Sequence, residues 1–319
     1  KNNMIYNSTN TILMIRPSIF RFNKETAVNN VYQHSDDFTS ELEVSNKAIQ
    51  EFDDFVYELK LNNINVIIFQ DHGEGSTPDS LFPNNWISTH QNGSICIYPM
   101  FAQNRRLERR KDIVNFFDNN FNVNFIVNEF ISYENENKFL EGTGSMVLDR
   151  LNKVAYAALS DRTNNHIFKL WCNKFGYEAV SFCSKKTKDG FSVYHTNVLM
   201  SICTKIAICC FDALSCKDDR LLLMDYFRKT KKEIIDISVD QKNKFLGNVL
   251  ELRSNANTLL LIMSSSAFSS LRKQQKKIIN QHYTIVHSSL KTIEYFGGGS
   301  ARCMIAEVYL KNKKYDFLP

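Results

Sequence analysis

Four times along this chain the same order of elements returns: two short apolar strands joined by a tight turn, an amphipathic helix, and a third strand. A supersecondary unit recurring about every fifty residues limits the fold strongly, because each unit carries an apolar face that only a neighbouring unit can cover. The first copy has strands at Trp86–Thr89 and Ser94–Tyr98 around the turn Gln91-Asn92-Gly93, a helix at Asn104–Asn119 and a strand at Val123–Val127. The second has Ser145–Asp149, Val154–Leu159, a helix at Asn164–Phe175 and Glu178–Phe182. The third has Val198–Cys203, Lys205–Phe211, a helix at Asp219–Thr230 and Glu233–Ile237. The fourth has Val249–Arg253, Thr258–Ser264, a helix at Phe268–Asn280 and Tyr283–His287.

A fifth copy is divided between the two ends of the chain. Ala301–Leu310 supplies its first strand and Thr11–Arg16 its second, followed by a helix at Glu41–Leu61 and the strand Asn65–Phe69. Pairing the last strand with the first closes a ring and removes exposed sheet edges. The expected fold is therefore α/β: a closed five-module propeller with pseudo-fivefold symmetry, forming a single domain over 1–319. A mixed α/β sheet in two domains is the competing architecture.

Composition excludes several classes of function. The formal charge of +5 is small for 319 residues. The basic runs Arg228–Lys232, Arg272–Lys277 and Lys311–Lys314 have no interleaved aromatic residues for base stacking, so no nucleic-acid partner is expected. No apolar run is long enough to span a membrane, and Lys1–Asn7 lacks the apolar region of a secretory signal. The eight cysteines contain no Cys-x-x-Cys pair. Neither a zinc site nor a disulfide framework is expected, and a reduced, cytoplasmic protein is.

The polar residues fall into register with the repeat. Just before the first strand of each unit stands a polar or glycine-rich cluster: Pro83-Asn84-Asn85, Glu141-Gly142-Thr143-Gly144, His195-Thr196-Asn197, Gly247-Asn248, and Gly297-Gly298-Gly299-Ser300 ahead of Cys303. In a ring of equivalent modules these clusters gather at one end of the axis. Taken singly, each has an ordinary structural use: a buried cysteine at a strand start, a satisfied histidine, a turn cap. Together, Cys303, His195 and Glu141 form a nucleophile, an acid/base and a carboxylate that orients the base.

The chain resembles the guanidino-group-modifying (pentein) superfamily of deiminases, dimethylaminohydrolases and amidinotransferases, and within it the citrulline-hydrolase branch. The resemblance covers nearly the whole chain. It rests on Met14–Pro17, Phe22–Asn30, Phe82–Trp86, Asn104–Arg109, Leu140–Ser145, Leu159–Thr163, Tyr194–Val198 and the glycine-rich cysteine segment. It implies Cys303 as nucleophile, His195 as general acid/base and Glu141 as its carboxylate. Arg162 is implied as the receptor of the substrate α-carboxylate, with Arg105, Arg106 or Arg109 as alternatives. Asn84 and Asn23 are expected to line the pocket.

Where the deiminases of that superfamily hold a cationic guanidinium with two aspartates, this chain has Asn85 and Asn197, and a third aspartate position is Gly144. An amide offers both a donor and an acceptor, which suits a neutral ureido group, whereas a guanidinium buried without a counter-charge is costly. The implied activity is metal-free and cofactor-free hydrolysis of citrulline to ornithine, ammonia and carbon dioxide, by a protein that the family suggests is a homodimer. The alternatives are arginine deimination or amidino transfer, and a non-catalytic propeller that serves as a binding module.

Overall fold

The computed structural model describes residues 7–36, 38–72, 76–186 and 190–313. The chain start at Lys1–Tyr6, the centre of the Asp71–Thr77 loop and the end of the Lys311–Lys314 run lie outside the described residues.

Among the described residues, fifteen strands form five three-stranded sheets. β1 (Thr11–Arg16) runs parallel to β2 (Asn65–Gln70), with the helix Glu41–Leu61 crossing between them. That helix starts where Ser40 accepts a hydrogen bond from Glu43 N. Val44, Ala48, Phe52, Phe55, Val56 and Leu59 fall on one face and are buried. β1 is buried on both sides: Ile12 and Met14 pack with Phe52, Phe55 and Leu59, while Leu13 and Ile15 pack with Trp86, Ile87 and Ile95. A continuous apolar strand is what a strand covered on both faces requires.

The next four sheets repeat one plan, an antiparallel hairpin and a parallel third strand reached through a helix. They are β3 (Ile87–Thr89), β4 (Ser94–Ile97) and β5 (Phe125–Val127); β6 (Val147–Asp149), β7 (Val154–Leu159) and β8 (Glu178–Cys183); β9 (Met200–Ile202), β10 (Ile206–Cys209) and β11 (Glu233–Asp236); and β12 (Leu250–Arg253), β13 (Leu259–Ser264) and β14 (Thr284–Ser288). β15 (Ala306–Glu307) completes the first sheet by pairing antiparallel to β1, with Ile12 opposite Glu307. Neighbouring sheets touch through their hairpin-first strands: β15 with β3, β6 with β9, and β9 with β12. Arg253 N at the end of β12 donates to Thr9 O ahead of β1 at 2.9 Å.

Three expected elements differ. The helix expected over Asn104–Asn119 is two, Gln103–Arg106 and Lys111–Asn120. Between them the backbone tightens into i to i−3 bonds, Leu107 N to Asn104 O and Glu108 N to Arg105 O, which turns the buried Arg105–Glu108 pair inward. The helix expected over Phe268–Asn280 breaks at Leu271, whose backbone is extended, giving Ser265–Ser270 and Lys273–Asn280. The strand expected over Ala301–Leu310 is only Ala306–Glu307. It follows a helix at Lys291–Gly297 that closes on Gly298 at φ +63°, a left-handed conformation that glycine adopts without strain. Cys303 thus sits in a turn three residues before that strand. Among the described residues, no helix is long and apolar enough to cross a membrane.

Candidate active site

The clusters that precede β3, β6, β9, β12 and β15 come together around one small pocket. Each reaches it on a single turn of backbone: Pro83–Asn85, Gly142–Ser145, Thr196–Leu199, the turn ending at Asn248, and the stretch Ser300–Met304. Cys303, His195, Asn85, Arg105 and Arg162 line the cavity, with Asp79, Asn30, Tyr194 and Phe82. Asn197 and Asn248 reach it through the sulfur: their Nδ2 groups donate to Cys303 Sγ at 3.5 and 3.2 Å. Two N–H donors aimed at one sulfur favour the thiolate once it forms. In the free pocket burial outweighs them and pushes the Cys303 thiol up.

His195 and Glu141 are both fully buried and joined by a 2.7 Å hydrogen bond between Nε2 and Oε2. Burial pushes Glu141 up, but Arg162, the His195 hydrogen bond and Arg105 outweigh it and hold the carboxyl at about 2. Burial pushes His195 down to about 4, against the pull of Glu141 and with the push of Arg162 and Arg105. At neutral pH the pair is therefore a carboxylate and a neutral imidazole. The carboxylate accepts from Nε2–H, which leaves Nδ1 as the basic nitrogen, and Nδ1 faces Gly144. Before substrate binds, the site thus holds a neutral base beside a thiol rather than an imidazolium beside a thiolate. Glu141 Oε1 accepts from Phe101 N at 2.9 Å, and Ser145 Oγ ties the Glu141 N–H to Arg162 O.

Asn85 has a defined orientation. Arg105 donates from NH1 to Asn85 Oδ1 at 2.6 Å, so the amide NH2 is turned into the cavity, where it has no partner. Arg105 is itself pinned by Glu108 at 2.9 Å and by Phe82 O at 3.1 Å. Asn197 presents the opposite chemistry: its Nδ2 is used on the sulfur and its Oδ1 is unpartnered. Arg162 donates to Thr26 O at 2.7 Å and from Nε to Asn29 Oδ1 at 2.9 Å, lies over the Tyr194 ring, and keeps NH1 3.7 Å from Glu141.

Three expected residues lie elsewhere. Arg106 is bound to Met100 O at 3.0 Å and pairs with Glu134, outside the lining. Asn23 caps the short helix Lys24–Ala27 and donates to Asp79 Oδ2 at 2.7 Å, so it acts behind that carboxylate. Asn84 lies behind the wall, donating to Thr143 Oγ1 at 3.3 Å. Asp79 and Asn248 were not among the expected site residues. Asn248 stands at the repeat position shared with Asn85 and Asn197, so the periodicity marks it. Asp79 lies on a connection with no periodic signal, and its Oδ1 is buried without a partner.

A buried thiol held by two amides, a neutral imidazole oriented by a carboxylate, and unpartnered amide groups on both sides define a cysteine-centred pocket for a planar, nitrogen-rich group. The family model described as "N,N dimethylarginine dimethylhydrolase, eukaryotic" matches residues 16–310. The chain belongs to that family, within the pentein guanidino-group-modifying superfamily.

Solved structures share the fold. The N-terminal domain of ArgZ, described as an arginine dihydrolase of the ornithine-ammonia cycle in cyanobacteria, superposes with a TM-score of 0.72 at 15% identity, covering 93% of this chain and 97% of that domain. Against apo ArgZ the TM-score is 0.71 at 16% identity, and this chain spans 40% of that one. DDAH from Pseudomonas aeruginosa, complexed with citrulline as a cysteine-to-serine mutant, gives 0.64 at 13% identity, covering 96% of this chain and all of that one. No curated protein matches the chain in sequence.

Proposed function

We propose that this protein hydrolyses the ureido group of citrulline, through a covalent intermediate on Cys303, to ornithine, ammonia and carbon dioxide. The observation that carries the proposal is the orientation of Asn85. Its cavity-facing group is an N–H donor, held there by Arg105. A guanidinium has only donors and would leave that group unpaired, whereas a ureido oxygen accepts it; a buried unpaired donor costs about 1–3 kcal/mol. Asn197 Oδ1 and the free Asp79 oxygen accept ureido N–H groups on the other side. Arg162 takes the α-carboxylate.

In this mechanism His195 Nδ1 removes the Cys303 proton as sulfur attacks the ureido carbon. The same proton passes to the departing nitrogen, and the C–N bond breaks to leave a carbonyl group on sulfur. Water, deprotonated by Nδ1, attacks that carbon and frees the thiol. The carbamic acid so released loses carbon dioxide, which breaks the second C–N bond; net, one water is consumed. The five sheets enclose the pocket as one closed propeller and a single catalytic domain over 1–319. The eight unpaired cysteines support a reducing, cytoplasmic setting, and a homodimer completes the proposal.

A second possibility is favoured by Asp79, whose buried, unpartnered oxygen could hold a cationic guanidinium; ArgZ and DDAH carry names that refer to arginine compounds. The test is ammonia and ornithine release from citrulline, arginine and agmatine, with wild type and Cys303→Ala. Turnover of citrulline alone, lost in the variant, is expected. Turnover of arginine with none of citrulline refutes the ureido assignment, and full activity in Cys303→Ala refutes the covalent route.

A further inference from the structure

At the opposite end of β3 from Asn85, the chain builds a second cavity, of about 540 Å³. His90, Arg150, Lys153, Phe175 and Tyr177 line it, and no carboxylate does. We propose that this cavity is a binding site for a compact oxyanion, such as inorganic phosphate or a small carboxylate.

The charge arrangement carries the proposal. Arg150 has Glu307 at 3.7 Å, but Glu307 is also bound by Arg302 at 2.7 Å, so one carboxylate serves two guanidiniums. The nearby Asp149 is committed to Lys232 at 3.0 Å. Lys153, among the described residues, has no carboxylate within ion-pair distance, and its ammonium lies 4.6 Å from the centre of the Tyr177 ring. The cavity therefore faces two cationic side chains with less than one full counter-charge. Beyond burial, Arg150 pushes down the Lys153 ammonium, and both cations push down the His90 imidazole, as expected of basic groups brought close together.

One further feature points the same way. Lys153 stands at φ +56°, a left-handed position that glycine or asparagine occupies at lower cost, so a lysine there costs about 1 kcal/mol. Phe175 is stacked on Trp171 at 4.6 Å and packed against His90 at 4.3 Å, and those two rings lie 5.7 Å from each other, so the three form one aromatic cluster in the wall.

The proposal is independent of the citrulline assignment, and its test does not need turnover. Binding of inorganic phosphate, and separately of citrate, is measured by calorimetry and by the rise in Tm at ionic strength matched with chloride. Saturable binding of either anion is expected in wild type. Phosphate binding points to an inorganic oxyanion, and binding of citrate alone to a carboxylate. Lys153→Glu, a change in an exposed turn, is expected to weaken binding at least tenfold without changing basal activity. His90→Gln gives an independent change in the same wall and is expected to weaken it too. No binding beyond the chloride control, or equal affinity in the folded Lys153→Glu protein, overturns the proposal.

Discussion

Gly144 touches both halves of the catalytic machinery, which makes Gly144→Ala the most exacting test of the site. A Cβ at that position would lie 2.3 Å from Asn85 Nδ2 and 2.8 Å from His195 Nδ1. Nonbonded heavy atoms settle near about 3.5 Å, so one of them must retreat by roughly 1 Å. Asn85 has little room to do so, because Arg105 grips its oxygen and Glu108 and Phe82 O grip Arg105. His195 is held in turn by Glu141. Overpacking of this kind costs about 1–3 kcal/mol of stability, which a chain with a core this extensive should survive. A misplacement of roughly 1 Å at reacting groups costs on the order of 100-fold in rate. The expected result is a folded protein whose kcat/KM on its best substrate falls about 100-fold, while Cys303 still reacts with iodoacetamide. The assay pairs steady-state kinetics with circular dichroism and mass-spectrometric labelling of Cys303. Activity within threefold of wild type would show that the Asn85–Gly144–His195 contact does not set the catalytic geometry.

Asn85→Asp replaces the cavity-facing donor with an acceptor beside Arg105; citrulline kcat/KM should fall at least tenfold, as for loss of a buried hydrogen bond, and discrimination should move toward arginine. Unchanged citrulline kinetics would remove the basis for a ureido substrate. Glu108→Gln strands the buried Arg105 charge and should cost about 3–5 kcal/mol by urea denaturation, together with a loss of activity, since Arg105 aims Asn85. His195 has a folded pKa near 4, below its usual value. The unfolded chain therefore binds a proton first as pH falls, and stability present above about pH 6.5 is lost down to about pH 4, amounting to about 3 kcal/mol in full. Denaturation at pH 7 and pH 5 should show that loss in wild type and a smaller one in His195→Gln; equal slopes would mean that the imidazole is not held neutral.

The repeat of hairpin, helix and strand was legible because every unit buries its central strand on both faces, which writes short apolar runs at regular spacing. The polar clusters were legible for the same reason, since their place in the repeat gathers residues as distant as Asn85 and Asn248. Geometry set by particular side chains was not. Nothing periodic announces that Leu107–Arg110 tightens to bury Arg105 against Glu108, or that Leu271 interrupts a helical pattern. Asp79 belongs to a connection whose only signal is composition. The state of the Cys303–His195 pair depends on burial by segments far apart in sequence, and such burial is a property of the assembled fold rather than of any local stretch.

The pairing of β15 with β1 bears on how the molecule folds. Thr9 Oγ1 donates to Val308 O across 299 residues of chain, and Tyr309 Oη to Asn7 O across 302. Contacts of such sequence separation form late, because the entropy of closing the loop is lost before any packing offsets it. The other four sheets are each built from consecutive segments and can assemble locally. Cys303 lies three residues before β15, so the segment that carries the nucleophile is anchored on its C-terminal side only when the longest loop closes. Refolding should then show most of the secondary structure before any activity, with reactivity at Cys303 arriving in the slowest phase.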